Sequence, residues 1–334
     1  MKNILVTGGA GYIGSHVVVE LIEAGYHPVI LDNFSTSEKS SIDRLEHLTG
    51  QHIVYYEADY RDHKMLQQIL RIERIDGIIH IAAYKAVGES VAEPLKYYQN
   101  NVAGFMTLLE TAIDAGVHNI VFSSSAAVYG NPPTAQVTED EACNPENPYG
   151  WSKFMCDVML RDTHKANPHL KKTSLRYFNV VGSHGSYKIG ESPKGAPQNL
   201  LPIIVRAVKE NKPFQVFGDD YDTHDGTCLR DYIHVVDLAK AHVAALQKME
   251  KQENGSFEIY NLGTGTPTSV LELIKAFEKV NGVKVPYEIG PRRAGDPVSY
   301  FAVPEKAIRE LGWQAKHTIE DAVRSSWQWQ LAQS

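Results

Sequence analysis

Thr7-Gly8-Gly9-Ala10-Gly11-Tyr12-Ile13-Gly14 follows the apolar run Ile4-Leu5-Val6 and opens a segment, Tyr12 to Ala24, with helical spacing. Its glycines read either as G-x-x-G-x-x-G (Gly8, Gly11, Gly14) or as G-x-G-x-x-G (Gly9, Gly11, Gly14). Both readings make a tight strand-to-helix turn. Such a turn lets backbone N–H groups and a helix N-terminus approach a pyrophosphate, which is the physical basis of dinucleotide binding. A tight turn alone needs glycines too, so the surroundings carry weight.

Those surroundings repeat the same unit. Short apolar runs predict strands at Asn3–Thr7, Pro28–Asp32, Ile53–Glu57, Gly77–Ile81, Asn119–Ser123 and Thr173–Arg176. Helical patterns fall between them, near 12–25, 38–48, 62–73, 95–115 and 148–166. Near-continuous apolar strands alternating with helices imply a parallel sheet covered on both faces. Right-handed crossovers then give a doubly wound, Rossmann-like α/β fold with ligands at the carboxyl ends of its strands. Beyond about residue 177 the texture changes. Gly182 to Pro197 and Gly218 to Gly226 are loop-rich and read as ordered loops over a ligand. The expected division is a dinucleotide-binding domain over 1–177 and a smaller C-terminal α/β substrate-binding domain over 178–334. The stretch Asp231–Leu262, read as strand, helix, strand, is expected to return to the first sheet.

Bulk properties narrow the function. The chain has 334 residues, 43% hydrophobic and 22% charged, with a net charge of −7. That balance without a basic stripe argues against a nucleic-acid surface. Three cysteines, Cys143, Cys156 and Cys228, have neither zinc spacing nor an even number, which fits a reduced, cytoplasmic compartment. No long apolar span or cleavable leader is read, so neither export nor membrane anchorage is expected. The 14 histidines are scattered, and the acidic stretch Asp219–Gly226 lacks the glycine and glutamate positions of a calcium loop, so no metal site is expected.

Asp32 ends the second strand, where a carboxylate accepts hydrogen bonds from a ribose 2′-hydroxyl and repels a 2′-phosphate; NAD is therefore expected over NADP. Asp59 can bond an adenine amino group or cap the next helix, and position alone does not choose between these. Asn147-Pro148-Tyr149 reads as N-cap, N1 and N2 of a helix, and Lys153 lies four residues on, over the same face. A free phenol has a pKa of about 10, so acting as a base near pH 7 requires roughly 4 kcal/mol of help for the phenolate. The Lys153 charge, the helix N-terminus and a positively charged nicotinamide are candidates for that help. Ser125, after the fifth strand, can bridge Tyr149 and a substrate hydroxyl. A dinucleotide to accept hydride and a phenol to take a proton together point to oxidation of a carbinol.

The glycine turn, Ser123-Ser124-Ser125, Tyr149-x-x-x-Lys153 and Arg176-Tyr177-Phe178-Asn179 resemble the extended short-chain dehydrogenase/reductase superfamily. Within it, Lys85-Ala86-Val87-Gly88-Glu89-Ser90, Arg230-Asp231-Tyr232-Ile233-His234-Val235 and Pro291-Arg292-Arg293-x-Gly295-Asp296 are similar to the UDP-glucose 4-epimerase family, over residues 3 to about 329. The resemblance implies that Tyr149 takes the proton from a sugar 4-hydroxyl while hydride passes to bound NAD, and that both return after the 4-keto sugar has turned over. It implies cofactor contacts from Tyr12, Ile13, Asp32, Asn33, Asp59, Lys85, Asn100, Lys153 and Phe178, beside Gly8, Gly11 and Gly14. It implies UDP-sugar contacts from Asn179, Asn199, Leu200, Phe217, Arg230, Tyr232, Arg293 and Asp296. Arg230 and Arg293 have the forked donors that suit a diphosphate. Relatives pair as dimers through long helices, and by analogy the helices near 95–115 and 148–166 would do so here.

Three other readings stand beside this one. Nucleotide-sugar 4,6-dehydratases share the first oxidation but carry an acidic pair where this chain has Ala126-Ala127, which cannot move protons. A UDP-N-acetylhexosamine 4-epimerase is disfavoured by Tyr300, whose position in the family tunes room for the sugar 2-substituent. A non-catalytic NAD sensor would be expected to have lost the Tyr149/Lys153 pair.

Overall fold

The computed structural model describes residues 1–293 and 297–333. Its strands among those residues are β1 (Asn3–Thr7), β2 (His27–Asp32), β3 (Val54–Glu57), β4 (Gly77–His80), β5 (Asn119–Ser123), β6 (Gln136–Val137), β7 (Lys171–Tyr177), β8 (Asn179–Val181), β9 (Phe214–Phe217), β10 (Leu229–His234), β11 (Ser256–Leu262), β12 (Pro267–Ser269), β13 (Tyr287–Gly290) and β14 (Ser299–Ala302). Seven of them form one parallel sheet in the order β11-β7-β5-β4-β1-β2-β3. The order reverses about β1, the switch point at which doubly wound sheets hold ligands.

Strand alternation distributes the core. On β1, Ile4 and Val6 face one layer, with Val17, Val18 and Leu21 of the helix Tyr12–Glu23 and Leu238 and Leu246 of the helix Val235–Lys251. Leu5 between them faces the other, with Leu66 and Leu70, Phe105 and Leu108, and Leu160 of the helix Pro148–Ala166. Each such side chain contributes about 1.5–3 kcal/mol by leaving water, which explains why β1 lies at the centre.

The stretch after residue 228 divides between sheets. β11 runs parallel to β7 along its whole length, at the edge of the large sheet. β10 instead joins a second sheet, β12-β10-β14-β6, with β8 paired to β10. Only Phe178 separates β7 from β8, so the chain changes sheet at that residue. Helices Leu200–Glu210, Val270–Asn281 and Ile319–Ala332 close a third apolar cluster around Leu201, Phe277 and Val323.

One expected helix is broken. Residues 95–115 form an α-turn at Pro94–Tyr97, a π-helical turn at Tyr98–Ala103 and an α-helix at Gly104–Asp114. Widening to π places Asn100 and Asn101 side by side inside the protein, both buried. Gly104 permits the packing, since a Cβ there would lie 2.7 Å from the Tyr60 ring, and the Tyr60 hydroxyl donates to Asn100 O at 2.5 Å. Among the described residues no helix is long and apolar enough to cross a membrane.

Candidate active site

The glycine turn is a cradle shaped by backbone. Gly8 has φ +72°, and a Cβ on Gly14 would lie 2.1 Å from Gly8 O, so neither position admits a side chain. Gly11 is the N-cap of the helix Tyr12–Glu23; no side chain caps it and its first turn holds no acidic residue. Its leading N–H groups are therefore left to an anion. Asp32 is buried at the end of β2, where its carboxylate accepts from Ala10 N (3.1 Å), Phe34 N (2.9 Å) and Ser37 Oγ (2.8 Å). The same carboxylate thus braces the glycine turn and lies beside it. Asn33 donates to Asp59 (3.1 Å), which also receives the Arg61 fork at 2.9 and 2.7 Å. Burial opposes ionisation of Asp59, but the Arg61 and Asn33 hydrogen bonds outweigh it and hold the carboxyl below its usual range. The next helix is capped by Asp62, through Met65 N at 3.1 Å, and so Asp59 is not its cap. This cradle fits the pyrophosphate and ribose of a dinucleotide.

At the carboxyl end of β5 lies the second half. Asn147 caps its helix through Gly150 N at 3.0 Å, and Pro148 follows at N1. Tyr149 and Lys153 are both buried. Lys153 Nζ donates to Ser123 O at 2.7 Å, and burial lowers its pKa to about 8 against the opposing pull of Cys156 and Asp157. Burial raises the Tyr149 phenol above its ordinary value, while a hydrogen bond with Ser125 pulls the other way. The sequence had suggested that Lys153 and the helix N-terminus would help ionise this phenol. In the chain alone desolvation wins, and neither Lys153 nor the helix N-terminus offsets it.

Much of the support around this pair was not read from sequence. One turn past Lys153, Asp157 accepts from Arg176 Nε (2.9 Å), Ser124 Oγ (3.2 Å) and Ser174 Oγ (2.5 Å). Arg176 also donates to Tyr129 (3.0 Å), and Tyr129 to Asn261 (2.7 Å), tying β7 and β11 to the turn after β5. Asn101 donates to Ser152 Oγ and to Tyr84 O, both at 3.0 Å, locking the π-turn to that helix. Tyr177, half-buried, bonds Ser123 and feels Tyr149 nearby. Of these, only Ser123, Ser124, Arg176 and Tyr177 belong to the motifs of the sequence. The available signal for Asp157 was its place one helical turn beyond Lys153.

The remaining described candidates fall into four groups. Phe178 packs against Tyr300 with ring centres 4.9 Å apart, and the Tyr300 hydroxyl donates to Ala126 O, next to Ser125. Lys85 and Asn199 meet at Glu191 (3.1 and 2.7 Å), with Leu200 beginning the following helix. Arg230, on β10, is fixed by Leu229 O and Pro297 O at 2.7 and 2.8 Å, with Tyr232 buried two residues on. Asn179 stands exposed on β8, and Phe217 and Arg293 are exposed at the ends of β9 and beyond β13. Asp296 lies outside the described residues. In the acidic stretch, Asp225 is engaged by Thr227 and Ser269 as a loop brace.

The family model for NAD dependent epimerases and dehydratases matches residues 4–263. The chain belongs to the NAD dependent epimerase/dehydratase family. Like other members of that family, it depends on NAD. It is 51% identical over 328 residues to the UDP-glucose 4-epimerase of Bacillus subtilis, covering 98% of this chain and 96% of the relative. Its fold matches the crystal structure of the UDP-glucose 4-epimerase of Stenotrophomonas maltophila with bound NAD and formylated UDP-arabinopyranose. That match has a TM-score of 0.97 at 47% identity, over 100% of this chain and 99% of the other. The Bifidobacterium longum enzyme in complex with NAD+ and UDP matches with a TM-score of 0.94 at 46% identity, over 99% and 98%. Tyr149 and Lys153 are buried and Ser125 is half-buried, all three at the carboxyl end of β5.

Proposed function

We propose that this protein interconverts UDP-glucose and UDP-galactose by inverting C4 of the sugar through a transient 4-keto form. The observation that carries this is the hydrogen bond between the buried Tyr149 and Ser125, beside Lys153, in a chain half identical to UDP-glucose 4-epimerases. NAD, when bound, supplies a hydride acceptor and donor and a positive ring. Gly8, Gly11, Tyr12, Ile13, Gly14, Asp32, Asn33, Asp59, Lys85, Asn100, Lys153 and Phe178 would hold it, and Asp32 would reject a 2′-phosphate.

Tyr149 takes the 4-hydroxyl proton and, once the 4-keto sugar has turned its other face, returns it to the same oxygen, so no proton is lost overall. Ser125 positions that hydroxyl through its bond to the phenol. Lys153, anchored by one N–H on Ser123 O, has two more to offer a ribose hydroxyl. Arg230, Arg293 and Asn199 would neutralise and bind the diphosphate, with Asn179, Leu200, Phe217, Tyr232 and Asp296 around the nucleotide. Elimination of water has no support here, since Ala126-Ala127 supplies no acid or base at the sugar. Tyr300, held by Ala126 O and Phe178, keeps a bulky ring near the site, which favours glucose and galactose over N-acetylated sugars.

The division of labour follows the sheets, with a cofactor domain over 1–177 that β11 completes and a UDP-sugar domain over 178–334. A homodimer is part of the same proposal. Val91, Leu95 and Met106 expose apolar side chains on the segment 87–114, and Trp151 and Met155 do so on the catalytic helix. A two-fold pairing of these helices would cover them. A cytoplasmic location fits the unpaired cysteine pattern of the sequence.

Incubating the purified protein with UDP-galactose and assaying UDP-glucose, alongside mass spectrometry for co-eluting NAD, tests the reading. Conversion with bound NAD is expected. Bound NAD without conversion would indicate a sensor, and equal turnover of UDP-N-acetylglucosamine would overturn the Tyr300 preference.

A further inference from the structure

Glu191 belongs to none of the motifs read above, yet it joins a cofactor candidate, Lys85, to a nucleotide-sugar candidate, Asn199. Its backbone is fixed from the second sheet's side. Ser183 N donates to Ser325 Oγ (3.1 Å), and Trp329 Nε1 donates to Glu191 O (3.1 Å). Gly190 fills the gap between, since a Cβ there would lie 2.5 Å from Ser183 Oγ and 2.6 Å from the Trp329 ring. From this anchored position a single carboxylate oxygen, Oε1, accepts from both Lys85 Nζ (3.1 Å) and Asn199 Nδ2 (2.7 Å).

The two donors come from distant parts of the chain. Lys85 lies in the loop after β4 of the large sheet, and Asn199 precedes the helix Leu200–Glu210. An asparagine at an N-cap ordinarily bonds its own helix. Asn199 makes no such bond, and its amide turns to Glu191 instead. The same segment crosses to the large sheet again, with Lys194 donating to Phe34 O at 2.7 Å and Tyr12 donating to Gly182 O at 2.6 Å.

An exposed lysine–glutamate pair usually contributes little. Here the carboxylate end is only 13% exposed, is rigidly held and is shared with a second donor. Each donor keeps further N–H groups for a ligand after bonding Glu191. We propose that Glu191 is a positioning residue that aims Lys85 at the cofactor and Asn199 at the nucleotide-sugar, so that one carboxylate couples the two grips. The ordering of a lysine stem and an amide is then complete before ligands arrive. This rests on the site assignments of the proposed function.

The isosteric Glu191→Gln keeps an acceptor for Asn199 but removes the charge that holds Lys85. We expect it to speed NAD loss during dialysis and to raise KM for UDP-galactose, each about tenfold, the scale of one charge-assisted hydrogen bond. kcat should stay within about threefold, because the chemical groups are untouched. Glu191→Asp, which restores the charge, should recover part of the NAD retention. On a Lys85→Met background Glu191→Gln should add no further NAD loss, because both act through one contact. Additive losses, unchanged NAD retention, or a fall in kcat at constant KM would each overturn the proposal. NAD loss is read by absorbance and UDP binding by calorimetry, without turnover. An inactive wild type would therefore contradict the proposed reaction while leaving the coupling test readable.

Discussion

Two consecutive turns of the helix Pro148–Ala166 bury ionisable groups, and the protein treats them in opposite ways. In the first, Tyr149 has one side-chain partner, Ser125, and Lys153 leans on a carbonyl, Ser123 O. In the second, Asp157 is surrounded by three donors, one of them a buried guanidinium. Both turns sit at similar depth, so depth does not separate chemistry from structure. The separation lies in whether the chain completes the polar shell or leaves that to a ligand. Incomplete shells around buried groups mark functional sites.

The sharpest way to break this contrast is to remove one group from each turn. Tyr149→Phe should lower kcat by about 10³-fold or more, since general acid–base groups contribute 10²–10⁴-fold. UDP binding by calorimetry and the melting temperature should stay near wild type. Near-normal turnover would remove Tyr149 from the reaction. Asp157→Ala should do the reverse, because it strands the buried Arg176 charge. A loss of about 3–5 kcal/mol in denaturant unfolding is expected, with activity falling in proportion to folded protein. A stable Asp157→Ala protein would show that the second turn is not structural.

Lys153 gives the smallest effect on stability, and the most specific in its pH dependence. Burial takes its pKa from the ordinary 10.5 to about 8, so carrying the charge at neutral pH costs folding roughly 3 kcal/mol. That cost is present in full below pH 8, where both folded and unfolded chains bind the proton. It is relieved between pH 8 and 10.5, where only the unfolded chain does. Lys153→Met should therefore be inactive yet melt at or above the wild-type temperature at pH 7. Its advantage should shrink as pH rises from 8 towards 10.5, and a constant difference across that range would contradict a buried, charged Lys153.

The same contrast explains what could be read from sequence. β1, β5 and the helix Pro148–Ala166 have the bounds that spacing and capping predicted, because local pattern suffices for them. Gly8, Gly14, Asp32 and Tyr149 were legible for a related reason, since each sits beside a strand end or cap that announces itself. The supporting shell was not. Asp157 meets Arg176 across 19 residues, Tyr129 meets Asn261 across 132 and Lys85 meets Glu191 across 106. No periodicity links such partners. The π-turn that buries Asn100 and Asn101 depends on Gly104 packing against Tyr60, a tertiary fact. The direction of the Tyr149 shift also escaped, because desolvation depends on depth and sequence pattern shows only the charges nearby.

The central claim is that the chain alone keeps the Tyr149 phenol protonated and that bound NAD supplies the missing positive charge. It is tested most directly by ultraviolet titration of the phenol, taken as wild type minus Tyr149→Phe, in NAD-stripped and NAD-loaded protein. The account predicts ionisation above pH 10 in the stripped protein and at a clearly lower pH in the loaded one. Identical curves, or a phenolate already present near pH 7 without the coenzyme, would contradict it.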